Sequence, residues 1–141
     1  MSSPAFRTSF RVSWVDTDAA QVVHYSNYFR FFERTEEEFY RYLGFAFTDV
    51  NDSGLWFPRV EAFCQFRKPA RFNDILEVEL IVEELKEKSV KYGFQISAKE
   101  SMTVLATGYL AVVAADKQTG KATQIPKEMA GKLKPYCKKS L

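Results

Sequence analysis

Tyr28-Phe29-Arg30-Phe31-Phe32-Glu33-Arg34-Thr35-Glu36-Glu37-Glu38-Phe39-Tyr40-Arg41-Tyr42-Leu43-Gly44 is the stretch from which the rest of the chain can be read. Bulky Tyr28, Phe31, Phe32, Phe39, Tyr42 and Leu43 recur at helical spacing, while Glu33, Arg34, Glu36, Glu37, Glu38 and Arg41 fill much of the opposite side. Gly44 supplies a C-terminal stop. The helix carries more aromatic side chain than a surface helix needs. Something broad must therefore wrap around it, most simply a curved sheet.

The flanking sequence provides that sheet. Upstream, Phe10-Arg11-Val12-Ser13-Trp14-Val15 is strand-like and runs into Asp16-Thr17-Asp18. Downstream, past a loop with Asn51, Asp52, Ser53 and Gly54, the period becomes two. Val60, Ala62, Cys64 and Phe66 take one face, Glu61, Phe63, Gln65 and Arg67 the other, and Pro69 ends the strand. Leu76, Val78, Leu80 and Val82 then alternate with Glu77, Glu79 and Ile81. Beyond residues 84–88, Val90, Tyr92, Phe94, Ile96 and Ala98 alternate with Lys91, Gly93, Gln95, Ser97 and Lys99. These two runs predict a long hairpin. A last strand over residues 103–115 is apolar on both faces near its end, which predicts cover on both sides there. Asp116 to Gly120 turns the chain, and Pro126 is placed to open a short final helix. The expected fold is α+β: a curved, antiparallel, five-stranded sheet around a long central helix, in one domain spanning residues 1–141.

Composition narrows the function classes. Twenty basic and 18 acidic residues leave a net charge of +2, without the basic surplus of a dedicated nucleic-acid binder. The C-terminal lysines Lys132, Lys134, Lys138 and Lys139 read as a solvated helix end and tail. Cys64, Cys137 and the single histidine, His24, have no metal-ligand spacing, so no metal is expected. The N-terminus has no apolar signal core, and the longest apolar run, residues 109–115, is far shorter than a membrane span. The expectation is a soluble, cytoplasmic protein.

One segment reads as chemistry. Asp16-Thr17-Asp18 stands where extended chain turns toward the helix. Such a junction brings a carboxylate near the unpaired N–H groups of the first helical turn, which can hold a carbonyl oxygen gaining negative charge. From the residues alone, Asp18 is either a catalytic carboxylate or an Asx-turn or cap residue. Asp16 reads as structural, holding the loop by backbone hydrogen bonds.

Residues 15–33, Val-Asp-Thr-Asp-Ala-Ala-Gln-Val-Val-His-Tyr-Ser-Asn-Tyr-Phe-Arg-Phe-Phe-Glu, strongly resemble the opening of the hotdog-fold acyl-CoA thioesterases of the 4-hydroxybenzoyl-CoA thioesterase family. That opening reads D-x-D-x-x-G-x-V, an aromatic or histidine pair, then an N-Y or S-Y step into an aromatic helix. Residues 57–62 and 66–74 resemble the family's second strand and following turn, so the likeness covers roughly residues 6 to 130. It implies a hotdog fold, a dimer with a continuous sheet that is often paired into a homotetramer, and sites at the dimer interface.

The resemblance also implies an activity: hydrolysis of an acyl-CoA thioester, or of one on acyl carrier protein, to free acid and thiol without a cofactor. Asp18 matches the catalytic carboxylate, acting as nucleophile or general base. The backbone N–H of Tyr25 matches the oxyanion donor, its side chain being free to line the pocket. His24, which as a histidine titrates near neutrality, and Gln21, standing where the family typically has glycine, join the substrate site. Lys86 and Lys88, in the turn between the third and fourth strands, match phosphate-binding positions for CoA, with Glu87 where some members have another base. Two rival functions use the same residues: a hotdog hydratase or dehydratase with His24 and Glu36, and a non-catalytic acyl-CoA-binding module in which Gln21 marks the loss of turnover.

Overall fold

A computed structural model of the chain describes residues 4–45 and 53–138, so Asn51 and Asp52 of the expected loop lie outside the described residues. The alternating Leu76, Val78, Leu80 and Val82 are all fully buried, as are Tyr92 and Ile96 on the next strand. Both strands therefore lay one face on a core, and the chain organises around them. The elements are β1 (Phe6–Arg11), α1 (Asn27–Leu43), β2 (Leu55–Trp56), β3 (Arg59–Phe66), β4 (Ile75–Leu85), β5 (Ser89–Ala98), β6 (Val104–Val113), β7 (Ala115–Asp116) and α2 (Lys127–Leu133). The main sheet has five strands in the order β1-β4-β5-β6-β3, every neighbouring pair antiparallel. The expected hairpin is β4–β5, with Leu76 opposite Ala98 and Leu85 opposite Val90. β2 and β7 make a separate two-stranded sheet that alternation could not reveal, because a two-residue strand has no period.

Helix α1 lies along the inner face of this sheet. Phe32 stacks flat on Phe94 at 4.4 Å, Phe31 packs near Phe10 at 6.1 Å, and Phe39 meets Phe6 at 5.3 Å and Tyr136 at 4.9 Å. Each such buried aromatic contributes on the order of 1.5–3 kcal/mol. The close approach depends on Gly108, where a side chain would overlap the Phe63 carbonyl oxygen and come within 2.8 Å of the Phe32 ring. Gly44 ends the helix in the left-handed conformation (φ 89°), as its position predicts. Pro126 precedes α2 as its N-cap.

Two helix positions depart from the sequence pattern. Glu36, placed by periodicity on the polar side, is 1% exposed, and Tyr42, placed in the apolar stripe, is exposed. Glu36 tolerates the interior because its carboxylate accepts two hydrogen bonds from Arg59, at 3.0 and 2.8 Å, and one from the Tyr40 hydroxyl at 2.6 Å. The Tyr40 hydroxyl also meets that of Tyr92 at 2.9 Å, and burial pushes both phenols upward in pKa. Tyr42 lies late in the helix and meets the margin of the core, at Phe6 (5.5 Å) and Tyr136.

The two ends of the sheet differ in what they carry. Val12 N–H donates to Asp74 O and Val23 N–H to Ala70 O, each at 2.8 Å. The segment between β1 and α1 is thus laced to the loop that leads into β4. The β4–β5 turn, residues 86–88, lies at the other end, and the 11 residues of β4 separate the two ends by about 33 Å.

Candidate active site

Immediately after β1 the chain makes one turn of 3-10 helix, Trp14–Asp16. Asp16 Oδ2 accepts the Ser13 N–H at 2.9 Å, and the Thr17 hydroxyl donates to Trp14 O at 2.7 Å. The Asp16 carbonyl accepts the His24 N–H at 2.9 Å and the Asn27 side-chain amide at 2.8 Å. Asp16 therefore holds the loop, and it ties the helix start to the turn that precedes Asp18.

Residues 17–23 then form a tight hairpin. Thr17 pairs with Val23, Asp18 N–H donates to Val22 O, and Gln21 N–H donates to Asp18 O, both at 2.9 Å. Closing a turn this short needs one residue in the left-handed region, and that residue is Gln21, at φ 66°. This explains why a glycine suits the position: an ordinary side chain there carries a backbone cost of about 1–2 kcal/mol. Val22 bridges to Arg71, which anchors the hairpin on the loop before β4.

Asp18 is exposed at the start of this hairpin. Its Oδ1 accepts the Ala20 N–H at 2.8 Å, and Oδ2 has no partner among the described residues. Both readings of the residue thus meet in one side chain, with an Asx-type bond on one oxygen and an open second oxygen.

The turn into α1 leaves one backbone donor open. His24 N–H goes to Asp16, Ser26 N–H donates to His24 Nδ1 at 3.2 Å, and Asn27 N–H donates to His24 O at 2.9 Å. Tyr25 N–H meets no acceptor among the described residues. The Tyr25 side chain is 68% exposed and stacks on the His24 ring at 4.5 Å. Because Ser26 N–H donates to His24 Nδ1, that nitrogen accepts and the ring proton belongs on Nε2. The Ser26 hydroxyl also contacts Nδ1, at 2.8 Å.

Asp18, Gln21, His24 and Tyr25 therefore share one hairpin and the turn that follows it. Lys86 and Lys88 do not join them. They sit in the β4–β5 turn at the far end of the same sheet, where Lys86 pairs with Glu84 at 3.1 Å in an exposed contact. The pairing of His24 with Glu36 that a hydratase needs is absent: Glu36 is held in the interior by Arg59 and Tyr40, nine residues along α1 from its first residue, or about 13 Å. Sequence reasoning placed Asn27 in the N-Y step into the helix but gave no role to its amide, which clamps the loop.

Among the described residues no cluster of three or more His, Cys, Asp or Glu could hold a metal ion, and no helix is long and apolar enough to cross a membrane.

Comparison with known proteins gives the same architecture. Acyl-CoA thioester hydrolase YbgC of Escherichia coli O6:H1 is 28% identical to this chain, over 95% of this chain and 99% of its own. The crystal structure of a hypothetical protein (AQ1494) from Aquifex aeolicus superposes with a TM-score of 0.84 at 33% identity, covering 91% of this chain and 98% of that one. BH1999, a gentisyl-coenzyme A thioesterase, superposes with a TM-score of 0.80 at 32% identity, covering 88% and 98%. The family model for the thioesterase-like superfamily matches residues 12–133, from just after β1 to the end of α2. With its five-stranded hotdog sheet around α1, the chain belongs to the thioesterase-like superfamily.

Proposed function

We propose that the chain hydrolyses an acyl-CoA thioester to the free acid and CoA, with Asp18 as nucleophile or general base and the Tyr25 N–H as donor to the oxyanion. The observation that carries this reading is the open Tyr25 N–H in the turn that follows the Asp18 hairpin, together with the open Oδ2 of Asp18. The thioester hydrolases among its relatives support the reaction class.

In the general-base route, Asp18 takes a proton from a water whose oxygen attacks the thioester carbon. The carbonyl oxygen becomes an oxyanion held by Tyr25 N–H, the C–S bond breaks, and CoA leaves as a thiolate that is then protonated. In the nucleophilic route an Asp18 oxygen attacks the thioester carbon, the C–S bond breaks to release the CoA thiolate, and water cleaves the resulting anhydride to free acid and the Asp18 carboxylate. In either route one backbone donor is worth about 2.7–4 kcal/mol of barrier.

His24, whose Nε2–H is free of the Ser26 contacts, and Gln21, at the tip of the hairpin, are assigned to the substrate pocket. Lys86 and Lys88 are assigned to the CoA phosphates of a second subunit's site, since the length of β4 keeps them from Asp18 of their own chain. The protein acts as a homo-oligomer, a dimer or a dimer of dimers.

The test is thiol release from short, medium, long and aromatic acyl-CoAs and from an acyl carrier protein thioester. Turnover of at least one substrate is expected. Tight acyl-CoA binding without thiol release from any of them would make the chain a binding module instead.

A further inference from the structure

Helix α1 begins without a side-chain cap. Ser26 stands at its N-cap position and makes no capping hydrogen bond, and Asn27 follows as the first helical residue. Asparagine at a helix start ordinarily turns its side-chain oxygen on the unpaired N–H groups of the first turn, and within a helix it is a poor former. Asn27 does not cap. Its amide nitrogen donates instead to the Asp16 carbonyl, 11 residues back, at 2.8 Å.

The backbone of Asn27 has a second part in the same structure. Its N–H donates to His24 O at 2.9 Å, which closes a turn over residues 24–27. In such a turn the N–H of the second residue takes no part in the closing bond. That residue is Tyr25, and its N–H is the open donor of the site. The Asp16 carbonyl also accepts the His24 N–H, at 2.9 Å, so the two ends of the turn share one oxygen and fill both of its lone pairs. Past Asp16 the chain runs through Thr17 to Asp18, whose own N–H and carbonyl are held within the hairpin by Val22 and Gln21. One carbonyl oxygen thus gauges the separation between the Asp18 carboxylate and the Tyr25 donor.

We infer that Asn27 is a positioning residue whose amide fixes the Tyr25 N–H relative to the Asp18 carboxylate, so that one thioester group can meet both. The inference rests on the proposed function and extends it by one residue, which acts through the Asp16 carbonyl and the 24–27 turn rather than on the reacting atoms. Without the amide, Asp16 O keeps the His24 bond alone, and the turn is free to swing on it. A shift of about 1 Å between groups that must act together costs on the order of 10²-fold in rate. The helix does not need the amide. Aspartate matches asparagine in shape, lacks the donor, and places negative charge at the positive end of α1, which favours the helix. Asn27→Asp therefore separates positioning from stability, and Asn27→Leu removes the amide without adding charge.

The test compares the wild type with both variants, alone and combined with Asp18→Asn, in thiol release from the acyl-CoA turned over fastest, in thermal melting and in amide hydrogen exchange over residues 16–27. Asn27→Asp is expected to melt within about 3 °C of the wild type. Both variants should exchange the His24 N–H faster and lower kcat by about 10²-fold, with KM changed less than about threefold. In the Asp18→Asn background either substitution should cost no more than about threefold, because a thioester carbonyl with no carboxylate to meet can follow the donor. A merely structural role predicts the same fold loss in both backgrounds and a kcat that falls only in step with the melting temperature. That pattern would overturn the inference, as would wild-type kcat in both variants or unchanged His24 N–H exchange. A loss confined to Asn27→Asp would mark an effect of its charge and would overturn it too. If exchange rises in both variants but the wild type releases no thiol from any acyl-CoA, the clamp stands and the thioesterase reading falls.

Discussion

Arg59, at the start of the open edge strand, holds both guanidinium nitrogens on the carboxylate of Glu36, a side chain almost entirely enclosed beneath α1. Burial pushes the Glu36 carboxyl above its ordinary range, and Arg59 and the Tyr40 hydroxyl pull it back. Arg59→Ala removes the main opposing pull, so the folded pKa rises further. A carboxyl whose folded pKa lies above its unfolded one stabilises the fold below the unfolded value, near ~4.3, and loses that contribution as pH rises through the folded value. Urea unfolding of Arg59→Ala should therefore show a small deficit near pH 4 that grows to about 3 kcal/mol by pH 8. A deficit independent of pH would mean that Glu36 is not the charge responsible.

Gln21 occupies a backbone conformation that favours glycine. Gln21→Gly relieves the strain but loosens the unfolded chain, for a net gain of about 0.5–1 kcal/mol, or roughly 2–4 °C in melting temperature. A lower melting temperature would show that the Gln21 side chain itself holds the hairpin.

Glycines at two other positions should respond oppositely to alanine. At Gly108 the new methyl overlaps the Phe63 carbonyl and crowds Phe32, so Gly108→Ala should lose about 3 kcal/mol. At Gly131, within α2, the methyl meets nothing within 4 Å, and Gly131→Ala should gain about 0.8 kcal/mol through helix propensity. Chemical denaturation of both variants checks the pair, and equal effects would contradict the packing described for Phe32.

Burial pushes the Cys64 thiol up to about 11. Its alkylation by iodoacetamide, measured in a Cys137→Ser background, should rise about tenfold per pH unit from pH 7 to 10. At pH 7.5 it should be slower than a free cysteine by roughly 10² or more. A rate that levels off near pH 8.5 would show that the thiol is not desolvated.

The aromatic stripe of α1 and the alternation of β4 and β5 made the sheet-around-helix architecture legible, because both patterns follow directly from which face must leave water. Gly44 and Pro126 marked helix ends for equally local reasons. Glu36 was misread because a periodic pattern assigns charge to the solvent side and cannot see an arginine 23 residues away that will come to lie against it. The hairpin around Gln21 became visible only in three dimensions: the resemblance marked the position as one that typically holds glycine, but a glutamine does not itself announce a left-handed backbone. Lys86 and Lys88 were legible as a basic turn, but their distance from Asp18 depends on the length and direction of β4.

Asp18→Asn isolates the contribution of the Asp18 carboxylate. Asparagine keeps an Oδ1 to accept the Ala20 N–H, so the hairpin is preserved while the charge is lost. Measured on the best acyl-CoA substrate, kcat should fall at least a hundredfold, on the order expected for loss of the base or nucleophile, with KM changed by no more than a few-fold. An Asp18→Asn protein that turns over as fast as the wild type would mean that the Asp18 carboxylate is neither base nor nucleophile.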